Sequence, residues 1–369
     1  MVDTMNRYNP DFAVHPGEYL EEILESRAIK KRDFAERIGL SVKAVSQIIN
    51  RKSLYSPDVA LILEKTLDID AEIWMNMADA YQLFEAREKE RNRLESEKTK
   101  EWVKLFPTAE LKRMGFIPDT RKTEVLADGI LRFLGVSSPK VWDAYNQKKA
   151  VAYRKSEKFK ESQEATAVWL RIAEKEAEKI ETYKFNKGVF RKVLTEIREM
   201  TVLSPGEFYP SMMELCCSAG VALVLVPELK DTHISGAACW LSQHKAMIAV
   251  SLRYKTNDHF WFTFFHEAAH LLLHGKKNIY IDIKEDGTSR EEREADFFSG
   301  DLLIPSEKYE RLISGNRFDA DYILAFSREI GIHAGVVVGR LQHDGKIEFS
   351  WHNDLKDKYI ITQEGKEER

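Results

Sequence analysis

The chain has 369 residues, enough for two or three domains at roughly 150 residues each. Its 43% hydrophobic and 31% charged residues exclude wholesale disorder. A net charge of −4 excludes a uniformly basic nucleic-acid coat but leaves room for a local basic patch.

The first ten residues, MVDTMNRYNP, hold no apolar run suited to a signal peptide. The longest apolar stretch, AGVALVLVP at 219–227, is too short for a bilayer. Cys216, Cys217 and Cys239 offer neither a disulfide framework nor a Cys-based zinc ribbon, and such usage fits a reducing compartment. A cytoplasmic protein without a membrane partner is expected.

Residues 15–83 read as short helices with tight breaks. Pro16 suits a helix start, and Tyr19, Leu20, Ile23 and Leu24 form one apolar stripe at helical spacing. A second helix is predicted over Lys31–Ile38, with Phe34, Ala35 and Ile38 inward. Gly39 supplies a turn and Ser41 a cap for a third helix, Val42–Asn50. That helix buries Val45, Ile48 and Ile49 and turns Lys43, Ala44, Ser46 and Gln47 outward. Two short helices joined by a Gly-containing turn match the helix-turn-helix, whose second helix enters the major groove. Between Lys30 and Lys52 stand seven basic residues against two acids, a local excess suited to phosphate contacts.

From HPGEYL to IWMNM the chain resembles the HigA-like branch of the Cro/C1-type helix-turn-helix family. The resemblance implies a five-helix, commonly homodimeric fold that reads a palindromic double-stranded DNA operator and often serves as an antitoxin or autoregulator, which raises the question of a toxin partner. Carried onto this chain, it turns Ser41, Lys43, Ala44 and Gln47 to bases and Asn50, Arg51 and Lys52 to phosphates.

Glu85–Glu101 is almost continuous charge of both signs, which predicts a solvated helix leading out of the first domain. Residues 102–200 keep a helical period, with breaks near Pro107, Pro118, Gly135 to Pro139 and Gly188. Trp142, Tyr145, Tyr153, Trp169 and Leu170 suggest helices packed on one another, with a sensor pocket as the less favoured use of those aromatics. Period-two, β-branched segments follow at 221–228, 234–241 and 245–252. The tail Ile332–Trp351 predicts an apolar helix, an Asp-Gly turn and a short strand at Lys346–Trp351.

The strongest signal is FTFFHEAAHLLLHG, in which His266-Glu267-Ala-Ala-His270 is an H-E-x-x-H. Four residues on a helix bring two His rings to one face, one turn apart, able to share one metal ion. Glu267 lies about 100° round the helix, where a general base for an attacking water belongs. A tetrahedral catalytic zinc needs a third protein ligand. Leu273 and Lys276 occupy the positions where the metzincin extension requires Gly and His, so a downstream Glu on a second helix is the expected solution.

Glu291, Glu292 and Glu294 precede an apolar helix marked by Ala295, Phe298, Leu302 and Leu303. Glu292 and Asp296, four apart, share a face: Glu292 is read as the ligand and Asp296 as the group orienting a ligand His through its free ring N–H. Glu291 and Glu294 share faces with packed residues and fit less well. His274 reads as a helix-end His or an outer partner rather than a ligand. Tyr280, His333 and His343 remain alternatives for stabilising an oxyanion.

Residues 212–305, ending in E-x-E-A-D-x-F-x-x-x-L-L-I-P, resemble the ImmA/IrrE family of zinc metallopeptidases. In that family the ligand Glu stands four residues before an Asn or Asp and thirteen before a Pro, as Glu292, Asp296 and Pro305 do. Ala269 replaces the Gly often found before the second His. The resemblance implies one zinc per chain and a protein substrate, typically a helix-turn-helix repressor, cleaved in response to stress, phage or mobile-element signals. Residues 102–200 also resemble the spacer found in proteins joining these two families.

The expected fold is multidomain and mainly α. It comprises an all-α helix-turn-helix domain at 1–84, a helical spacer at 85–200, and an α+β zincin-like domain with a small sheet at 201–369. The leading functional expectation is a DNA-binding regulator carrying a zinc endopeptidase. The alternative is a non-proteolytic, antitoxin-like repressor with a metal-binding scaffold or sensor.

Overall fold

The computed structural model describes residues 12–152, 163–230, 232–251, 253–275, 280–283 and 289–359. Contacts divide the chain into two compact units, Met1–Lys100 and Glu101–Arg369.

In the first unit, α1 (Pro16–Ser26), α2 (Lys31–Ile38), α3 (Val42–Ile49), α4 (Pro57–Leu67) and α5 (Ala71–Leu94) surround one small core. Local chemistry sets the helix ends. His15 Nδ1 accepts from Gly17 N at the start of α1, and Ser41 Oγ accepts from Ala44 N at the start of α3. Gly39, at φ 68°, closes α2 in the left-handed region.

α1 and α3 approach so closely that a Cβ on Gly17 would lie 2.1 Å from the carbonyl oxygen of Ile48. Trp74 of α5, fully buried, lies 5.4 Å ring to ring from both Tyr19 and Tyr55, and its indole N–H donates to Ile69 O. Tyr55 OH donates to Pro16 O, tying the α3–α4 loop to the first helix. The helix-turn-helix and its buried residues therefore stand as expected.

Residue 84 falls within α5, which continues to Leu94 along an exposed face laced by Lys89–Glu85, Arg91–Glu88 and Arg93–Glu90 pairs. Such pairs add a few tenths of a kcal/mol each, about 0.2–0.5. α6 (Glu97–Lys104) follows after a break at Ser96.

The second unit continues with α7 (Thr108–Arg113), α8 (Thr123–Leu134), α9 (Pro139–Ala152), α10 (Gln163–Lys179), α11 (Lys187–Glu199) and α12 (Pro205–Ser218). Trp142 and Trp169 are buried, Tyr145 is exposed, and Tyr153 lies outside the described residues.

Strands β1 (Val221–Leu225), β2 (Ile234–Trp240) and β3 (Ala246–Val250) are the three period-two segments. Helix α13 (Asn257–Leu273) leads to β4 (Tyr280–Ile283), giving a four-stranded sheet of order β1-β3-β2-β4. β1 and β3 are parallel, while β2 runs antiparallel to β3 and β4. The first three strands are buried on both faces, because α12 and α10 lie against β1 while α13 covers β2 and β3.

Helices α14 (Arg290–Leu303), α15 (Ser306–Ser314), α16 (Ala320–Ile330) and α17 (Ala334–His343) complete the unit. The mainly α, multidomain expectation thus holds. No single helix among the described residues is long and apolar enough to cross a membrane.

One expected element is absent. Lys346–Trp351 forms turns, not a strand. Its alternating Ile347, Phe349 and Trp351 do not share a buried face, since Phe349 and Trp351 are 75% and 52% exposed. Instead of a neighbouring strand, the side chain of Gln342 donates to the carbonyls of Phe349 and Trp351.

The following segment straps the start of α13. Asn257 N donates to Asp357 O, and Tyr359 N donates to Lys255 O. Lys356 Nζ reaches Asp258 Oδ2 and Gln342 Oε1, each at 2.7 Å, in a pair less than one-tenth exposed on either side. Burial pushes the Asp258 carboxyl up, but the bonds from Lys356 and Thr256, together with the nearby charges of His259 and Lys356, outweigh it and hold the group below its ordinary value.

Candidate metal centre and nucleic-acid interface

α13 is buried along nearly its whole length, so the polar groups it carries inward must be satisfied locally. His266 and His270, one turn apart, place their Nε2 atoms 3.0 Å from each other. Glu292 lies in the first turn of α14, whose N-cap Ser289 accepts from Glu292 N and whose helix dipole favours a carboxylate there. Its Oε2 is 3.1 Å from His266 Nε2 and 3.5 Å from His270 Nε2.

Zinc bonds of about 2.0–2.1 Å at tetrahedral angles put donor atoms roughly 3.3 Å apart, and the three separations bracket that value. Two imidazole nitrogens facing each other and a carboxylate oxygen also form a donor set suited to zinc. The residues fit the ion. Among the described residues these three form the cluster able to hold a metal; Glu291 and Glu294 do not join it.

Electrostatics prepare the donors. Burial pushes the Glu292 carboxyl up, but hydrogen bonds from His266 and His270 outweigh it and hold the group well below the usual carboxylate range. Burial is the main reason that the His270 imidazole titrates below its ordinary value, which favours the neutral ring a metal requires.

Asp296 Oδ1 stands 2.9 Å from His266 Nδ1, on the side of the ring away from the cluster. Glu267 is fully buried. Its carboxylate lies against β2, where a Cβ on Gly236 would come within 2.8 Å of Oε1 and 2.6 Å of Thr263 Cγ2. Gly236 escaped the sequence reading; a glycine inside a strand pattern is the signal that could have raised it.

His274 caps the C-terminus of α13, with its Nδ1 3.0 Å from His270 Nδ1 and its Nε2 3.2 Å from Glu294 Oε2. His333 caps α17 and meets Asn257 and Asp357, at the far end of α13 from His266. His343 is nearer: the Phe262 ring stands 6.0 Å from the His266 ring and 6.1 Å from the His343 ring. The side chain of Tyr280 lies outside the described residues.

In the first unit, Lys43 and Gln47 are exposed on α3 and Ala44 is half-buried. Ser41 is engaged as the cap, and Asn50 Nδ2 donates to Ser46 Oγ. Lys52 is exposed. Arg51, at φ 62°, pairs with Glu18 at 2.5 Å, so its guanidinium already faces an acid.

Residues 20–74 match the family model described as Helix-turn-helix, and residues 224–342 match that described as IrrE N-terminal-like domain, Peptidase_M78. The chain joins a Cro/C1-type helix-turn-helix domain to an IrrE-like domain of the M78 peptidases.

The helix-turn-helix domain is 33% identical over 72 residues to Virulence-associated protein I of Dichelobacter nodosus, covering 19% of this chain and 67% of that one. It is 25% identical over 71 residues to the Uncharacterized HTH-type transcriptional regulator YddM of Escherichia coli (strain K12), covering 19% and 76%. Among solved structures, Pseudomonas aeruginosa antitoxin HigA with higBA promoter matches at 30% identity over 23% of this chain and 95% of that one, with a TM-score of 0.22.

Proposed function

We propose that the chain is a DNA-binding transcriptional regulator whose M78 domain is a zinc-dependent endopeptidase acting on a regulatory protein. A helix-turn-helix repressor, cleaved in a stress or mobile-element response, is the proposed substrate class. The DNA-binding part falls within residues 1–84 and the peptidase within 201–369, separated by the helical region 85–200. Homodimerisation through the first part would present two α3 helices to a palindromic operator.

The observation that carries this reading is the convergence of His266 Nε2, His270 Nε2 and Glu292 Oε2 within 3.0–3.5 Å beside the buried Glu267. One zinc per chain, held by those atoms, supplies Lewis-acid chemistry. Glu267 takes a proton from the attacking water and passes it to the leaving amine. Asp296 Oδ1, 2.9 Å from His266 Nδ1, sets a carboxylate beside that nitrogen and so favours the ring with its Nε2 lone pair turned inward. A non-proteolytic scaffold gives Glu267 no comparable task.

Elemental analysis of protein purified without added metal is expected to give about one zinc per chain, lost in His266→Ala. Cells carrying wild type are then expected to show new N-termini in a repressor, absent in Glu267→Gln. Identical termini in the two strains would sink the peptidase reading.

A further inference from the structure

The two ligand imidazoles are supported differently. His266 Nδ1 meets a carboxylate directly, Asp296 Oδ1 at 2.9 Å. His270 Nδ1 meets another imidazole, His274 Nδ1 at 3.0 Å. Beyond it, His274 Nε2 lies 3.2 Å from Glu294 Oε2, and the other oxygen of Glu294 accepts from Arg290 Nε at 2.6 Å. The His274 side chain is only 6% exposed, an unusual setting for an imidazole whose sole task would be to end a helix.

Hydrogen counting orders this chain. Two Nδ1 atoms at bonding distance require one proton between them. With His270 Nε2 used as a lone-pair donor to metal, the His270 proton sits on Nδ1. His274 Nδ1 must then accept, which leaves the His274 proton on Nε2, aimed at Glu294. For a neutral His274 the reverse order would set a bare Nε2 lone pair against the carboxylate, and it would move the His270 proton into the ligand cluster.

We infer that His274 and Glu294 are positioning residues that fix the ring and tautomer of His270 for metal binding, so that Asp296 supports one ligand directly and Glu294 supports the other through an intervening imidazole. This rests on the reading of His266, His270 and Glu292 as ligands. Outer partners of this kind are worth about 10–100-fold in metal affinity.

The test is competition for zinc between the full chain and a chromophoric chelator, with the unfolding midpoint of the metal-free protein measured alongside. His274→Ala is expected to weaken zinc binding by about 10–100-fold. Glu294→Gln, which keeps an acceptor but removes the charge, should weaken it less, with the metal-free midpoint unchanged. His274→Asn, which returns a polar atom near the Nδ1 position, should recover part of the loss.

Wild-type zinc affinity in both His274→Ala and Glu294→Gln would reduce the pair to a helix-end contact and overturn the inference. A loss confined to His274→Ala, accompanied by a lowered metal-free midpoint and no recovery in His274→Asn, would overturn it too. Failure of the underlying ligand reading shows separately, as undiminished zinc binding in His266→Ala.

Discussion

Helix α3, second of the helix-turn-helix pair, and helix α13, which carries the candidate metal cluster, both have polar residues one turn apart, in opposite surroundings. Lys43, Gln47 and Asn50 stand at a surface, whereas His266, Glu267 and His270 are at most 4% exposed. In the core, each polar group must find partners within the protein, so the partners expose the purpose: Glu292, Asp296 and the His274–Glu294 pair converge on two imidazoles. At a surface, water serves any charge and an available acid can borrow a cation. Arg51 shows this by pairing with Glu18.

Five substitutions sharpen or break that contrast. The largest effect is expected from Lys356→Met, which leaves Asp258 buried without its counter-ion at the start of α13. Removing one member of a buried pair costs about 3–5 kcal/mol, read as a lowered unfolding midpoint. Because the folded-state pKa of Asp258 is depressed, its contribution is fully present above the unfolded value of about 3.9 and is lost as pH falls through the lower folded value. In wild type the stability should therefore fall below about pH 4, with a shallower dependence there in Lys356→Met.

Gly236→Ala comes next. The added methyl must displace Glu267, and a misplacement of about 1 Å costs roughly 100-fold in turnover. Zinc content should not change, and full turnover in this variant would separate Glu267 from the chemistry. Asp296→Asn should weaken zinc binding by about 10–100-fold, measured by chelator competition.

The smallest effect belongs to the surface. Glu18→Gln frees Arg51 from an exposed pair worth at most about 1 kcal/mol, so binding to duplex DNA should tighten severalfold at low salt. Lys43→Glu should weaken binding and flatten its salt slope by about one unit. Unchanged DNA affinity in both would remove α3 from the interface.

The legible parts of the molecule were those decided within a few residues. Gly39 and Ser41 mark the turn and cap between α2 and α3, and the four-residue spacing of His266 and His270 suffices to bring their Nε2 atoms together. Glu292 and Asp296 share a face for the same reason. What escaped depends on distant chain. Lys356 meets Asp258 across 98 residues, and Gly236 is forced by a side chain on another element. The alternation in Lys346–Trp351 imitates a strand, yet a strand needs a neighbour to pair with, and a local sequence cannot announce that none is offered. β4 escaped for the converse reason, being only four residues paired along an existing edge.

The strap over α13 bears on how small a working catalyst could be made. The segment matching the peptidase family ends at residue 342, before Lys356, Asp357 and Tyr359. It also begins after Phe208, whose ring lies 4.7 Å from Trp261 and 5.7 Å from Tyr359. Trimmed to the matched residues, the protein would keep every proposed metal donor while stripping the aromatic cover and the counter-ion from the helix that carries two of them. The family-matched segment is shorter than the packed unit around it, and a minimal enzyme has to be drawn around the packing rather than the match.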